Sequence, residues 1–172
     1  MFASPRDLVR ELHLRENMIV ADLGAGTGFL SVEAARLVPE GKVYAVEIIK
    51  DYLTTIKEKT KAEGLNNIEV IWGDIEKPGG TKIASEMADR VIASSVLFQV
   101  EEKEKFIEEI KRILKPEGLA LLVEWEIGLH GAKHKSFVPK ASARAMFEGA
   151  GLKFEREVMA GKSHYGMIFK KG

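Results

Sequence analysis

The chain has 172 residues, which is the usual size of one compact domain. Lys and Arg together number 26, as do Asp and Glu, and this balance argues against a nucleic-acid partner, although a local basic patch stays compatible with it. The chain contains no cysteine, which excludes disulfides, thiolate nucleophiles and cysteine-ligated metal centres, and we predict no metal site. Without a membrane-spanning apolar run or a signal peptide, we expect a cytoplasmic protein.

The first half of the chain predicts alternating helices and strands. Ser4 and Asp7 flank Pro5 in the pattern of a helix N-terminus, so we expect a helix that begins at Pro5 and ends near His13. Apolar runs that stop at turn residues then indicate strands, and apolar residues at helical spacing indicate helices. These signals predict a strand over 18–23, a helix over 29–38, a strand over 42–48, a helix over 51–63 and a strand over 68–72.

The second half continues the alternation after a turn-rich stretch at 73–81. The predicted elements are a strand over 90–94, a helix over 101–115, a turn at 116–118, a strand over 119–125, a helix over 139–148 and two closing strands over 152–159 and 165–170. Such alternation requires right-handed crossovers between parallel strands. We therefore predict an α/β fold in which residues 1–172 form a single domain: a doubly wound, mostly parallel seven-stranded sheet with an antiparallel C-terminal strand pair. Residues 1–17, which contain the first helix, are a candidate cover for an active site.

A glycine-rich turn follows the first predicted strand, in the order Asp22-Leu23-Gly24-Ala25-Gly26-Thr27-Gly28. In doubly wound sheets the ligand lies beyond the carboxyl ends of the strands, and glycines let it approach the main chain closely. A dinucleotide fingerprint has its third glycine three residues after the second, where this chain has Phe29. A carboxylate just before the turn suits a positively charged ligand better than a pyrophosphate. The turn therefore argues against NAD and favours S-adenosylmethionine, which carries an ammonium and a sulfonium group.

Two more carboxylates are predicted at the ends of the next two strands. Glu47 ends the second strand, 23 residues after Gly24, where an acid accepts hydrogen bonds from ribose hydroxyls. Taken alone, Glu47 is equally well explained as a solvated charge. Asp74 follows the third strand in a Gly-Asp turn. Together with Asp22, these residues place carboxylates at three successive strand ends, a pattern that is hard to obtain by chance.

The heptad at 22–28 after a buried strand resembles the first motif of class I S-adenosylmethionine-dependent methyltransferases. The resemblance continues at 88–97 and 114–118 and covers the chain from about residue 18 to its end. It implies the Rossmann-like methyltransferase fold, with S-adenosylmethionine as cofactor and S-adenosylhomocysteine as product. It also implies which residues hold the cofactor: Asp22, Gly24, Gly26, Thr27 and Gly28 at the methionine end, Glu47 at the ribose with Ile48 beside it, Asp74 and Ile75 at the adenine, and Ser94 near the sulfonium.

The acceptor end of the site carries weaker signals. Within the family the chain looks most like the small-molecule branch that includes ubiquinone- and menaquinone-type enzymes, so we expect a small organic acceptor. That branch often has paired histidines after the fourth motif, where this chain has Phe98-Gln99, and the substrate itself is left open. The acceptor-side candidates are His130, as a base or an orienting group, and Gln99 and Trp125, each just past a strand end. Surface exposure of His130 and core packing of Trp125 are the alternatives.

Missing motifs exclude several classes of acceptor. The fourth strand end lacks the proline-containing motif of enzymes that methylate exocyclic base amines or glutamine, and the absence of cysteine excludes the usual cytosine C5 and arsenite chemistries. Three alternatives stay open: an RNA or protein methyltransferase with an open site, a non-catalytic methyltransferase-like partner subunit and, least favoured, an NAD-dependent oxidoreductase. The oligomeric state is also open, with a homodimer among the alternatives.

Overall fold

A computed structural model describes residues 3–126 and 137–172 of the chain. The elements in these ranges are α1 (Pro5–Arg10), β1 (Ile19–Leu23), α2 (Phe29–Leu37), β2 (Lys42–Glu47), α3 (Lys50–Ala62), β3 (Ile68–Trp72), β4 (Ala88–Ser94), α4 (Lys103–Ile113), β5 (Leu114–Trp125), α5 (Lys140–Gly149), β6 (Leu152–Val158) and β7 (His164–Lys171). They follow the predicted order, and their bounds agree with the prediction to within a few residues except at the start of β5.

The seven strands form one sheet in the order β3-β2-β1-β4-β5-β7-β6. Strands β1 to β5 are parallel to one another, and β7 runs antiparallel to both β5 and β6. This arrangement confirms the predicted mostly parallel sheet with an antiparallel C-terminal strand pair. Strand order reverses between β1 and β4, because the chain builds outward from β1 to β3 and then returns to the other side of β1. Such a reversal leaves a crevice at the carboxyl edge of the sheet.

The helices cover both faces of the sheet with separate apolar layers. On one face, α1 and α2 bury Leu8 and Ala34 against β1 and β2. On the other face, α4 and α5 bury Ile110 and Phe147, and the Phe147 ring stacks on Phe169 of β7 with centroids 4.5 Å apart. Full burial of a side chain of this size contributes about 1.5–3 kcal/mol. None of the helices in the described ranges has the length and apolar character that a membrane crossing requires.

The junction between α4 and β5 differs from the prediction. The helix ends two residues earlier than expected, because Leu114 already has extended backbone angles (φ −66°, ψ 135°). Pro116 contributes to this early end, since a proline disfavours helical angles at the residue before it. The predicted turn at 116–118 lies inside β5 as a bulge, opposite the register shift of β4 between Ala88 and Arg90.

A buried ionic cluster fixes the turn-rich stretch between β3 and β4 onto α4. The Glu109 carboxylate accepts hydrogen bonds from the Gly79 amide (3.0 Å) and the Thr81 hydroxyl (2.6 Å), and it pairs with Arg112 (2.7 Å). Burial raises the pKa of Glu109, but the hydrogen bonds from Arg112, Thr81 and Gly79 outweigh it and hold the pKa at about 2. The cluster anchors the stretch that contains Asp74.

Candidate functional site

A cleft of about 650 Å³ opens at the carboxyl edge of the sheet, where strand order reverses between β1 and β4. Its volume lies within the range of small-molecule and cofactor pockets, about 300–1,000 Å³. All but one of the predicted cofactor residues line this cleft. They are Asp22, Gly24, Gly26, Thr27, Glu47, Ile48, Asp74, Ile75 and Ser94. These residues come from four strand ends and share one cavity.

Two glycines of the turn between β1 and α2 are required, and each approaches a different neighbour. Gly24 lines the cleft with φ +73°, and a Cβ atom there would lie 2.6 Å from Val96 Cγ2. Gly28 has φ +81°, and a Cβ atom there would lie 2.9 Å from Ile56 Cγ1 in α3. Both positions combine a left-handed backbone with a close approach that a side chain would obstruct. Gly28 is the predicted cofactor residue outside the cleft lining, and the structure gives it the role of letting α2 begin close to α3.

Asp22 lies at the end of β1 and is 2 % exposed. The Ser31 hydroxyl donates a hydrogen bond to its Oδ2 atom at 2.6 Å. Burial raises the pKa of Asp22 to about 6, and the negative charge of Glu47 adds to this rise, while the Ser31 hydrogen bond opposes it. A buried carboxylate with a raised pKa is suited to a cationic ligand, because the cation would offset the cost of burying the negative charge.

Glu47 ends β2 and ties the glycine turn to α3. Its Oε2 accepts a hydrogen bond from the Gly26 amide at 2.9 Å, and its Oε1 accepts from the amides of Ile48 (2.8 Å) and Ile49 (2.9 Å). Ile49 caps α3 without a side-chain hydrogen bond, so Glu47 supplies the negative charge and the acceptor at this helix N-terminus. An ionised carboxylate has about four acceptor sites. Three are taken by amides, which leaves capacity for a further donor in the cleft.

Asp74 follows β3, and its carboxylate places a hydrogen-bond acceptor in the cleft. Its Oδ1 accepts a hydrogen bond from the Glu76 amide at 3.1 Å, and its Oδ2 pairs with Lys77 Nζ at 2.9 Å. The hydrogen bond from Lys77 lowers the pKa of Asp74, which keeps the group ionised at neutral pH. The next residue, Ile75, packs against the apolar layer under α4. A hydrogen-bond acceptor beside an apolar surface suits an amino-substituted heterocycle, because the amino group donates a hydrogen bond and the ring packs on the apolar surface.

The acceptor-side candidates fall in three different places. Gln99 is exposed and lines the cleft, and its Nε2 donates to a main-chain carbonyl four residues earlier at 2.7 Å. Trp125 lies outside the cleft lining and packs against Phe137 and His164, with ring centroids 6.0 and 4.0 Å away. Trp125 is half-buried in this group of rings. His130 lies outside the described residues.

Several lining residues carry no motif, and the sequence reasoning missed all of them except Pro5, which lies in the predicted candidate cover. Pro5 comes from α1, Phe29 and Tyr52 come from the first turns of α2 and α3, and Glu76 follows β3. Phe29 is 61 % exposed and Tyr52 is 38 % exposed. An aromatic residue in the first turn of a helix that follows a parallel strand is the signal that could have found them, because that turn faces the ligand edge of the sheet.

Several known methyltransferases resemble this chain. A family model described as a methyltransferase domain matches residues 14–162. The malonyl-[acyl-carrier protein] O-methyltransferase of Halalkalibacterium halodurans is 27% identical over 122 residues, which are 71% of this chain and 44% of that protein. A ubiquinone/menaquinone biosynthesis C-methyltransferase of Escherichia fergusonii is 32% identical over 114 residues, 65% of this chain and 44% of that protein. The crystal structure of an S-adenosylmethionine-dependent methyltransferase from Aquifex aeolicus matches with a TM-score of 0.87 at 27% identity and covers 98% of this chain and 89% of that chain.

These matches differ in how much of each protein they cover. The chain spans about half the length of most of the curated relatives that it matches, with a range from 25% to 62%. The match to the solved structure covers most of both chains. Residues 14–162 of the family match include the whole cleft lining apart from Pro5. The shared fold is therefore the one that builds the cleft.

Proposed function

The chain belongs to the methyltransferase-domain family, and on this premise we propose that it transfers a methyl group from S-adenosylmethionine, the cofactor of this family and fold, to a small organic acceptor. One observation carries the proposal. Asp22, Glu47 and Asp74 stand at the ends of the adjacent strands β1, β2 and β3 and line one cleft. Neighbouring strands lie about 4.8 Å apart, so β1 and β3 are separated by roughly 10 Å across the sheet, which is the scale of a nucleoside.

The chemistry of the lining side chains fits this cofactor. S-adenosylmethionine presents an ammonium group, two ribose hydroxyls and an adenine amino group, and each of these is a hydrogen-bond donor. The three carboxylates are acceptors. We assign the ammonium to Asp22, because its buried carboxylate gains most from a cation. We assign the ribose to Glu47, which keeps acceptor capacity, and the adenine to Asp74 with the apolar surface of Ile75.

When bound, S-adenosylmethionine supplies a methyl group already activated on its sulfonium sulfur. The chain then has to hold the two reactants in line and keep water out, and orientation of this kind accounts for much of the rate in two-substrate reactions. Ser94 and Gln99 line the same cleft as the cofactor residues, which suits them to the reacting end. The Gln99 side-chain NH₂ group donates one hydrogen bond to the main chain. Its carbonyl oxygen can accept a hydrogen bond from the molecule that receives the methyl group. Pro5 brings α1 to the cleft, as a cover over a small acceptor would require.

The variant Glu47→Ala tests the proposed ribose contact. We expect it to weaken binding of S-adenosylhomocysteine by about 1–3 kcal/mol, because the ribose hydroxyls lose their acceptor. This loss corresponds to roughly a 5- to 150-fold rise in Kd, measured by calorimetric titration. Glu58→Ala is the matched control, since Glu58 is an exposed acid on α3 outside the cleft lining.

The control and a folding measurement separate binding from stability. Glu47 also caps α3, so the thermal unfolding of the variant must show that the protein is folded at the temperature of the titration. Equal affinities in Glu47→Ala and Glu58→Ala would refute the assignment of Glu47 to the cofactor.

A further inference from the structure

Glu124 is a carboxylate buried near the carboxyl end of β5, on the side of the sheet that α4 and α5 cover. Its surface is 0 % exposed, and its partner across the antiparallel pair is Tyr165 of β7. An ionisable side chain in such a place is costly unless hydrogen bonds or an opposite charge satisfy it. In the part of the chain that the structure describes, no salt bridge joins Glu124 to a lysine or arginine. The proposed cofactor contacts make no use of it.

Backbone amides take the place of a cation. Glu124 Oε2 accepts a hydrogen bond from the Phe98 amide at 3.2 Å, and Oε1 accepts from the Trp125 amide at 3.0 Å. The Leu97 amide also donates to this carboxylate. Two of these three donors belong to the segment that follows β4, and the third belongs to β5 itself. The carboxylate thus joins the 95–99 segment to the end of β5.

The titratable groups around Glu124 do not neutralise it. Lys103 of α4 contributes a distant positive charge, and its Nζ donates to the Val100 carbonyl. The Tyr165 hydroxyl donates to the Val138 carbonyl at 2.8 Å, and Glu126 and His164 lie at the outer end of the same strand pair. Burial raises the pKa of Glu124 to about 7, against the opposing effect of the amides and of Lys103.

The opposite side of the same segment faces the cleft. Ser95, Val96 and Gln99 line the cleft, and the Gln99 side chain donates to the Ser95 carbonyl at 2.7 Å. Ser95 has φ +53°, a left-handed angle that a non-glycine residue adopts only when its surroundings enforce it. We propose that Glu124 is a positioning residue for the acceptor end of the site: its carboxylate holds the segment after β4 against β5 and thereby sets the place of Gln99 in the cleft. The inference rests on the proposed function, which assigns Gln99 to the acceptor.

Protonation of Glu124 changes how firmly the segment is held. An ionised carboxylate offers about four acceptor sites and no donor, whereas the protonated acid converts one of these sites into a donor. The three amides then share the three remaining acceptor sites, and their hydrogen bonds weaken, because a neutral acid accepts more weakly than an ionised carboxylate. The segment is therefore held most firmly above the pKa of Glu124, and Gln99 gains freedom as the pH falls through it.

An NMR titration of the isotope-labelled full chain from about pH 5 to about pH 9 tests this inference without an acceptor molecule. We expect the Glu124 carboxyl carbon, the Phe98 backbone amide and the Gln99 side-chain amide to shift with one shared midpoint. A carboxylate that only stabilises the fold would leave the Gln99 side-chain amide unmoved. Separate midpoints, or a Gln99 signal that does not respond, would overturn the inference.

Two variants assign the shared transition to its source. Glu124→Gln keeps the size of the side chain but cannot titrate, so the transition should vanish and hydrogen exchange at the Phe98 amide should speed up by about tenfold or more. Glu126→Gln, two residues along the chain, should retain the transition. If Glu124→Gln does not fold, the wild-type titration still tests the inference through the shared midpoint of the Glu124, Phe98 and Gln99 signals. Binding of S-adenosylhomocysteine to the wild type, measured separately, reports on the proposed function alone, so failure of either idea can be told from failure of the other.

Discussion

At the scale of single residues, the carboxylates of the cleft differ in the hydrogen-bond donors that satisfy them. Asp22 has one hydroxyl donor, from Ser31, and its pKa is raised to about 6. Glu47 has three amide donors, and Asp74 has an amide and a lysine. Asp22 therefore has the most to gain from a cationic ligand, and its ionisation should be coupled to binding.

This coupling predicts how affinity depends on pH. A cationic ligand binds the ionised form of Asp22, so binding must first remove a proton when the pH is below the pKa of the free protein. We expect the affinity for S-adenosylhomocysteine to rise by up to about tenfold per pH unit below pH 6 and to level off above it. Calorimetric titration at a series of pH values measures this profile.

Variants of Asp22 and of its hydrogen-bond partner Ser31 provide the controls. Asp22→Asn should bind more weakly and show no transition near pH 6. Ser31→Ala removes a hydrogen bond that lowers the pKa of Asp22, so its transition should move to higher pH. A transition that survives unchanged in Asp22→Asn would show that another group is responsible.

The positions of these carboxylates could be predicted from the sequence, but their partners could not. Each acid directly follows or ends an apolar run, and parallel strands bring such ends to one edge. The contact from Glu47 to the Gly26 amide joins residues 21 positions apart, and its existence depends on how β1 and β2 align. The burial of Glu124 likewise depends on β7 lying beside β5, which no local pattern states.

At the scale of elements, the burial patterns of the two closing strands, β6 and β7, indicate the place of each strand in the sheet. β6 alternates between exposed and partly buried residues, as an edge strand does, and β7 is buried at six successive positions, as a central strand is. The sequence of β7, with its apolar run after His164, carries the signal for an interior place in the sheet. The order β5-β7-β6 could have been inferred from this contrast, although the antiparallel pair alone was predicted.

At the start of β5, by contrast, the local sequence pattern predicts the wrong structure. The predicted turn at 116–118 relies on Pro116 and Gly118, which are ordinary turn residues. The structure keeps these residues within a strand because β4 pairs with β5 on both sides of the bulge. Pairing across 26 residues, from Ala88 to Leu114, overrides the local preference there. Long-range pairing of this kind is not readable from a short window of sequence.

The junction between α2 and α3 gives a prediction about stability. Gly28→Ala should lower the free energy of unfolding by about 1–2 kcal/mol for the left-handed backbone, and by about 1–3 kcal/mol more for the collision with Ile56. Gly64→Ala is the matched control, because Gly64 has φ +65° and no atom within 4 Å of the added Cβ. Denaturant unfolding of both variants separates the backbone cost from the packing cost. Equal losses in the two variants would contradict the packing role of Gly28.

At the scale of the whole molecule, one topological feature places the functional site. The reversal of strand order between β1 and β4 opens the cleft, and the crossovers bring the first turns of α2 and α3 to its rim. The fold and the cofactor edge could be predicted because they follow from alternation and from motifs at strand ends. The acceptor end could not, because it combines Pro5 from α1 with Gln99 from the segment after β4, which are 94 residues apart.

Calorimetric titration of the purified protein with S-adenosylmethionine and S-adenosylhomocysteine, with NADH as the control, tests the central claim most directly. We predict micromolar binding of the first two and none of NADH, because the cleft has carboxylates where a pyrophosphate would need donors. Failure of both S-adenosyl compounds to bind to the folded protein would contradict the proposal that this cleft is a methyl-donor site.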